Sequence, residues 1–328
     1  MTRYTNSAEL NNSITCFYMK MCCKSHLDEL YYSNNIRDIV NFYDCFDNME
    51  DLIGWMQSRP SADIKVHELN GNHEIIFVIP TPDIYNKETY DIISQLGNYY
   101  HVVLVESKGK YFNYAKSVNK GVLEALKYNP KWIIISNNDI TFKEPIKVLA
   151  ERLLSIDDTR VDAVIGIGGS KMFNLCRFNF LSNFAIFYGS YKEKIRIIRK
   201  YNIKFYYFPD ISFKLNLICK SIVSLKNLSF IGEFLIISSN YILNKRKGVL
   251  FDTTYINGVE DVDLLLDILL NKSYTTVKYR LSHYIGKSLG NDEIRILKNY
   301  VNIVYFNYKI LKSKKYLAFL NTPLHLTF

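Results

Sequence analysis

The chain has 328 residues, of which 48% are hydrophobic and 15% aromatic, so it can bury a sizeable core and is not intrinsically disordered. Its formal net charge of +9 favours anionic partners, but the charge alone does not choose among nucleotides, phospholipids and nucleic acid. No hydrophobic run reaches the ~20 residues that a transmembrane helix requires, so the pattern predicts none.

Cysteine usage indicates the compartment. None of the six cysteines forms a CxxC pair, and no matching pair of histidines accompanies them, so a zinc site is not expected. Polar residues interrupt the start of the chain, which is not the pattern of a signal peptide. These features predict a cytoplasmic protein whose thiols are free.

Residues 1–70 are predicted to form a helical extension that carries little motif information. Three short stretches have helical spacing, namely Leu27–Tyr32, Ile36–Tyr43 and Met49–Met56. Pro60 follows the last stretch and ends it, because proline interrupts a helical pattern.

From residue 74 onward, hydrophobic strands and amphipathic helices alternate. The predicted strands are Glu74–Pro80, His101–Val105, Trp132–Ser136 and Val161–Ile167, and the predicted helices are Lys87–Leu96, Asn113–Lys127 and Pro145–Leu154. Continuous hydrophobic runs are typical of strands buried on both faces. The alternation therefore predicts an α/β fold with a mostly parallel, doubly wound sheet.

Polar residues follow three of these strands. The strand ends are Pro80-Thr81, Glu106-Ser107 and Asn137-Asn138-Asp139. Ligands of open α/β sheets bind at the carboxyl ends of the strands, so we expect these residues on one edge, at the binding site.

The second half of the chain is less regular and predicts a mixed half of the sheet. Its predicted strands are Phe178–Phe187, Phe205–Phe208, Phe230–Ser238 and Tyr274–Tyr279, and a helix is predicted at Val259–Leu270. A long basic and aromatic helical region covers Asp292–Phe319. That region either packs on the domain, which is the simpler interpretation, or lies on an anionic membrane surface.

Two residues are candidate metal ligands. Asp139 follows a buried strand, where a carboxylate can hold Mg²⁺ or Mn²⁺, although Asn and Asp are also ordinary turn residues. His283 follows a predicted strand and precedes a Gly/Ser loop. A neutral imidazole is a competent Mn²⁺ ligand, but a lone histidine is more often structural.

Three carboxylates begin one predicted helix. They are Glu260, Asp261 and Asp263, and Gly258 precedes them. Acidic residues at a helix start can simply complement the helix dipole. Three in four positions beside a glycine also suit a carboxylate placed to accept a proton from a substrate hydroxyl.

The order of these segments resembles the motifs of family 2 glycosyltransferases. The first two matches are the strands Val78–Thr81 and Val103–Ser107, and in the second strand Glu106 stands where Asp is usual. The helix Asn113–Gly121 is similar to G-x-A-x-x-x-N-x-G, with Asn113 in the first place. The fourth match is IISNNDI at Ile134–Ile140. The last of these is similar to the strand ending in a DxD-like motif, with Asn137 in the first position, as in bacterial and archaeal rhamnosyltransferase-like members.

The resemblance continues to about Gly290. Gly232–Ile236 is similar to the motif G-x-x-L-I. The segment FDTTYINGVEDVD at Phe251–Asp263 is similar to FDE-x-Y-F-x-G-x-EDxD. His283, Gly286 and Ser288 are similar to H-x-x-G-x-S. The EDVD segment is the most specific of these matches. The resemblance implies three regions, which are the extension 1–70, a catalytic domain 71–290 and a helical segment 291–328.

The resemblance also implies an activity. The expected protein has the GT-A fold and inverts the anomeric carbon as it moves a sugar from a nucleotide-diphosphate donor to a saccharide, lipid-linked or protein hydroxyl. Asp139 and His283 would hold Mn²⁺ or Mg²⁺, Asp261 would be the base, and Glu260 would bind the acceptor. The implied donor contacts are Pro80, Thr81, Glu106, Ser107, Asn113, Lys116, Asn119, Asn137 and Asn138.

Other interpretations stay open. A catalytically inactive binding protein could keep the same fold, and a sugar-nucleotide nucleotidyltransferase shares the sheet, although Thr81-Pro82-Asp83-Ile84 lacks the glycine-rich basic signature such enzymes need. Nucleic acid is not an expected partner, because no RNA-recognition, zinc-finger or helix-turn-helix pattern is present. Contact with a membrane surface is the alternative for the C-terminal helix.

Overall fold

A mixed β-sheet organises the chain in the computed structural model, which describes residues 26–179, 184–188, 191–203, 220–228, 232–283 and 292–320. The strands are β1 Lys65–Leu69, β2 Asn72–Thr81, β3 Tyr100–Glu106, β4 Trp132–Ser136, β5 Ile140–Phe142, β6 Ala163–Asn179, β7 Phe184–Tyr188, β8 Lys220–Leu228, β9 Phe234–Ser238, β10 Tyr274–Lys278 and β11 Leu281–His283. The helices are α1 Leu27–Tyr32, α2 Ile36–Asp44, α3 Met49–Ser58, α4 Lys87–Leu96, α5 Tyr114–Leu126, α6 Ile146–Leu154, α7 Tyr191–Lys200, α8 Glu260–Asn271, α9 Asp292–Lys312 and α10 Lys314–Leu320, with a short π-helix at Tyr241–Lys245.

The central sheet has the strand order β1-β3-β2-β4-β9-β6-β10, and β7 and β8 also pair with β6. β2 is parallel to β3 and β4, and β10 is parallel to β6. β9 is antiparallel to both of its neighbours, and β1 is antiparallel to β3. The remaining five strands of this path therefore point the same way, which confirms an α/β fold with a mainly parallel central sheet.

The parallel half forms where the hydrophobic runs predict it. Ile75 in β2 lies opposite Trp132 in β4, so both strands belong to one sheet. β4 is buried at every position, as expected for a strand covered on both faces. A second, two-stranded sheet of β5 and β11 lies beside the carboxyl end of β4.

Asparagine side chains begin several helices. The side chains of Asn35, Asn48, Asn86 and Asn113 each accept a hydrogen bond from a backbone N–H in the first turn that follows. Such caps satisfy a helix donor that has no partner within the helix. The helix starts are therefore encoded locally, and the observed bounds differ little from the sequence prediction.

Gly121 lets α5 lie directly on the sheet. A Cβ at this position would come within 2.5 Å of Val78 Cγ1 and 2.6 Å of Val105 Cγ2. The glycine of the N-x-G motif therefore has a packing role, because a larger side chain would push the helix off β2 and β3.

The N-terminal helices pack against the C-terminal helix. Buried residues of α1–α3 and α9 belong to one hydrophobic core. The hydroxyls of Tyr31 and Tyr43 donate hydrogen bonds to the Lys298 and Leu297 carbonyls, at 3.1 and 2.5 Å. The strand β1, which no hydrophobic run in the sequence predicts, joins residues 65–69 to the edge of the central sheet.

α9 is a core element. Its buried residues are Ile296, Leu297, Tyr300, Val301, Ile303, Val304, Tyr305, Phe306 and Ile310. These side chains are covered by the rest of the molecule, so they are not available to a membrane surface. No helix in the described part of the chain is long and apolar enough to cross a membrane. The cytoplasmic location stays a prediction.

The structure bears on two of the sequence predictions, one for the cysteines and one for a strand. Cys45 is buried and forms no disulfide, but Cys176 is disulfide-bonded, so the expectation of free thiols is wrong for Cys176. A disulfide depends on the distance between two thiols in space, which sequence spacing does not report. The predicted strand Phe205–Phe208 lies outside the described residues.

Candidate active site

The structure brings Asp139 and His283 into contact. β11 pairs with β5 and places His283 opposite Ile140, the residue after Asp139. His283 Nε2 lies 3.0 Å from Asp139 Oδ1, and these two side chains are 17% and 21% exposed. His283 Nε2 also lies 3.5 Å from Asn137 Nδ2, 146 positions away in the chain. The pair is therefore made by tertiary structure and remains accessible from solvent.

This pair has the chemistry of a partial metal site. Two cis ligands of an octahedral ion, each about 2.1 Å from it, are about 3.0 Å apart, which is the observed separation of the two donor atoms. No group of three or more His, Cys, Asp or Glu suited to a metal occurs among the described residues. An ion here would depend on substrate oxygens and water for its other ligands, as Mg²⁺ sites commonly do.

The carboxylates Glu260 and Asp261 begin α8 at a strained turn. Val259 precedes the helix with φ 75°, and Asn257 has φ 52°. A β-branched residue at positive φ is unusual and costs free energy, and such strain concentrates at functional sites. The turn directs the two acids to the positive end of the α8 dipole, where a negative charge is stabilised.

Gly232 makes room for Asp261. A Cβ at Gly232 would overlap Asp261 Oδ2, and Gly232 itself has φ 76°. The glycine of the G-x-x-L-I segment is therefore required both by its backbone conformation and by the nearby carboxylate. This observation links two motifs that are separated in sequence.

The carboxyl pair is electrostatically perturbed. Burial raises the pKa of Glu260 to about 8, and the charge of Asp261 is the second cause of this rise. Burial also raises the pKa of Asp261. The charge of Lys194 opposes the rise at Asp261. Burial lowers the pKa of Lys194 itself to about 8. Because Lys194 favours ionised Asp261, we assign the proton of the pair to Glu260 and the charge to Asp261.

Tyr114 connects the two halves of the site. Its hydroxyl donates a hydrogen bond to Asn137 Oδ1 at 3.2 Å. Burial raises the pKa of Tyr114, and the charges of Glu260, Asp261 and Asp139 raise it further. This residue was not predicted from the sequence, although it directly follows the motif position Asn113. The signal available was an aromatic hydroxyl at the first position of a helix that begins at the ligand edge of the sheet.

Two predicted donor-binding residues instead hold the loop before α8. Asn113 Nδ2 donates to the carbonyls of Thr253 and Tyr255, at 3.2 and 2.8 Å. Asn119 Nδ2 donates to the Phe251 carbonyl at 2.8 Å, and its Oδ1 accepts from the backbone of residues 250 and 251. These amides fix the segment that leads to the carboxylates.

The other predicted donor contacts occupy different environments. Asn138 Nδ2 donates to Thr81 Oγ1 at 3.3 Å and to Thr89 Oγ1 at 3.1 Å, which ties the end of β4 to the end of β2 and to α4. Glu106 Oε2 lies 3.3 Å from His67 Nε2 of β1. Pro80 and Ser107 are buried, and Lys116 contacts the Ser61 hydroxyl.

Asp263 belongs to a partly buried ion pair. Its Oδ2 lies 2.6 Å from Lys309 Nζ, and Lys309 also lies 2.8 Å from Asp252 Oδ2. The lysine of α9 thus bridges the first and last acids of the Phe251–Asp263 segment. This contact gives Asp263 a positioning role, in agreement with its greater depth in the helix.

Replacing Asn302 with leucine is expected to destabilise the fold by about 2–4 kcal/mol. Asn302 is fully buried and bonds both backbone groups of Ile256, accepting from its N–H at 2.7 Å and donating to its carbonyl at 2.9 Å. Leucine has a similar size but leaves both groups without a partner. Urea unfolding measures the cost, with the exposed Asn41→Leu as control. Equal midpoints for the two variants would contradict this role.

Replacing Glu260 with glutamine is expected to raise the melting temperature at pH 8 by about 2–5 °C. The pKa of Glu260 in the folded chain, about 8, exceeds its unfolded value of 4.5, so folding favours the protonated form. Wild-type stability therefore falls as the pH rises from about 4.5 to about 8, whereas glutamine stays neutral. The two melting temperatures should converge near pH 4.5. Exposed Glu151→Gln is the control, and a variant less stable than wild type at pH 8 would refute the argument.

No family model and no curated protein matches this sequence. Among solved structures, the chain is similar to "Crystal Structure of A197 from STIV", with 13% sequence identity and a TM-score of 0.33. The match covers 65% of this chain and 86% of that chain. A likeness at this TM-score carries no argument about fold or function.

Proposed function

We propose that the chain is an inverting, metal-dependent glycosyltransferase with the GT-A fold. It would move a sugar from a nucleotide-diphosphate donor to a hydroxyl of a glycan, a lipid-linked saccharide or a protein. The observation that carries the proposal is the 3.0 Å contact between Asp139 and His283, two residues that the motif resemblance pairs and that lie far apart in sequence.

The positions of the other groups support the same reaction. The Asp139–His283 pair lies where the parallel strands end, which is where α/β sheets bind their ligands. Glu260, Asp261 and Asp139 all raise the pKa of Tyr114, so these three carboxyl groups act electrostatically on one tyrosine. The parallel strands β3, β2 and β4 followed by the mixed half of the sheet also fit the GT-A fold.

The proposed reaction is a single displacement. Asp261 accepts the proton of the acceptor hydroxyl as the hydroxyl oxygen bonds to the anomeric carbon, and the bond from that carbon to the diphosphate breaks. Protonated Glu260 would donate a hydrogen bond to the acceptor. Its buried Oε2 has no hydrogen-bond partner among the described residues. Mn²⁺ or Mg²⁺ held by Asp139 and His283 would neutralise charge on the leaving nucleoside diphosphate.

Donor hydrolysis tests this proposal without knowledge of the acceptor. The protein is incubated with a panel of nucleotide-diphosphate sugars and Mn²⁺, and released nucleoside diphosphate is measured. We expect slow hydrolysis of one donor class that stops when EDTA removes the metal. Binding of a donor without hydrolysis or transfer would favour the inactive binding protein. Absence of any metal-dependent donor binding would refute the proposal.

A further inference from the structure

A polar cavity of about 250 Å³ lies between the end of α3 and the start of α5. One water needs only about 10–15 Å³ of such space, so the cavity can hold a much larger group. Its lining includes Gln57, Arg59, Asn113, Lys116, Thr253 and Thr254, and no lining residue is acidic. Arg59 and Ser61, which borders Lys116, lie outside the glycosyltransferase motifs.

Arg59 is an unusually buried cation in this cavity. Its side chain is 8% exposed, and Nε and Nη2 are buried without a hydrogen-bond partner in the part of the chain that the structure describes. The guanidinium carbon lies 5.3 Å from the ring centre of Tyr32 and 5.6 Å from that of Trp55. These rings fix the orientation of the guanidinium through cation–π contacts but accept no hydrogen bond in the plane of its N–H groups.

Asp28 does not neutralise Arg59 by an ion pair. The Asp28 carboxylate accepts a hydrogen bond from Trp55 Nε1 at 2.9 Å. Its charge acts on Arg59 from a distance, and burial is the larger influence, lowering the pKa of the guanidinium. A buried guanidinium whose donors are unused is costly, and Arg59 lines the cavity, so a ligand bound there would be stabilised by accepting its hydrogen bonds.

Lys116 brings a second positive charge to the same cavity. Its ammonium contacts the neutral hydroxyl of Ser61 and forms no ion pair with a described residue. Burial and the positive charge of Arg59 lower the pKa of Lys116. Two cations that repel each other therefore line one polar cavity that contains no carboxylate.

We propose that this cavity binds a phosphate group, with the Arg59 guanidinium and the Lys116 ammonium as its charged donors. A planar guanidinium fork and a compact ammonium match the oxygens of a phosphate, and a phosphate dianion would balance both charges. The phosphate belongs either to a phosphorylated ligand or to free phosphate or pyrophosphate. None of Asp139, His283 and Asp261 lines this cavity, and the proposal does not depend on the proposed transfer reaction.

The cavity adjoins the chain segment that leads to the carboxylates Glu260 and Asp261. Thr253 and Thr254 line the cavity and belong to the segment that continues to Glu260. Asn113, which also lines it, donates to the Thr253 and Tyr255 carbonyls. A bound phosphate would thus lie against the segment that positions the acid pair.

Calorimetric titration of the full chain in EDTA tests this proposal, with inorganic phosphate, pyrophosphate and a nucleoside diphosphate as separate probes. We expect saturable binding that weakens with salt and falls at least ~10-fold in Lys116→Gln and in Arg59→Gln, since each removes charged donors. Lys120→Gln is the matched control, because Lys120 lies one turn further along α5 and pairs with Glu124 instead. It should bind as wild type does.

The controls separate the outcomes. Arg59→Gln also loses the contacts with the aromatic rings, so this variant can fail to fold. In that case Lys116→Gln tests the proposal, because Lys116 is only partly buried. Tighter binding of the nucleoside diphosphate than of pyrophosphate would identify a phosphorylated ligand, and equal or weaker binding would identify the free anion. No binding of any probe, or equal affinities in Lys116→Gln and Lys120→Gln, would overturn the proposal. Asp139→Ala should leave this metal-free phosphate binding intact. Failure of the proposed glycosyltransferase activity can therefore be distinguished from failure of the phosphate site.

Discussion

Replacing Asp261 with asparagine is expected to lower the rate of sugar transfer by about 10²–10⁴-fold and to leave donor binding nearly unchanged. Asparagine has the shape of aspartate and fits the space beside Gly232, but its amide does not accept the proton of the acceptor hydroxyl. The donor contacts other groups, so its affinity should not follow the rate. Initial rates and donor dissociation constants, measured on the same preparations, check both parts.

The exposed Asp91→Asn is the control for Asp261→Asn, and it should transfer sugar at the wild-type rate. If the Asp261→Asn variant keeps the normal rate, the role of base would be reassigned to Glu260 or Asp263. Asp263 is the weaker of these alternatives, because its carboxylate is already paired with Lys309.

The wild-type rate should also rise with pH through the acidic range. Burial raises the pKa of Asp261, so the base is protonated at low pH and becomes active as it ionises. The positive charge of Lys194 favours that ionisation. A Lys194→Gln variant should therefore need a higher pH to reach half of its maximum rate. If the pH dependence of the rate is the same in Lys194→Gln as in the wild type, Lys194 does not favour the ionised form of Asp261.

Removing either candidate metal ligand is expected to lower Mn²⁺-dependent transfer by about 10²–10³-fold, since the charge of the leaving diphosphate loses its stabilisation. The variants are Asp139→Ala and His283→Ala. Each should also weaken Mn²⁺ binding in the presence of a nucleoside diphosphate, measured by electron paramagnetic resonance. His26→Ala removes an exposed histidine whose ring contacts Glu29, and it serves as control.

Added Mn²⁺ provides a second readout for these variants. If Asp139 and His283 share an ion, each single variant should need a higher Mn²⁺ concentration for half-maximal rate, and the double variant should lose little beyond the worse single one. Additive losses, or unchanged Mn²⁺ dependence in both variants, would show that the 3.0 Å contact is an ordinary hydrogen-bonded pair.

Much of the candidate site could be predicted from the sequence, including the pairing of Asp139 with His283 that the motif resemblance implies, but the other partners of its residues could not. Asp139 is predicted at a strand end and Glu260 and Asp261 at a helix start, and the structure has them there. Tyr114 was missed because a tyrosine at a helix start has no diagnostic spacing. The amides of Asn113 and Asn119 bond a segment more than 130 positions away, so no local pattern could reveal their role.

The sequence by itself determined the hydrophobic runs that became β2, β3 and β4, the asparagine caps, and the acids at the start of α8. These features depend on interactions within a few residues, such as caps and periodic burial, which a linear pattern records directly. Tertiary structure alone decided the reversed β9 between β4 and β6, the edge strand β1, the Asp139–His283 contact and the Arg59–Lys116 cavity. Each of these depends on which distant segments meet, and that choice is made by packing the whole core.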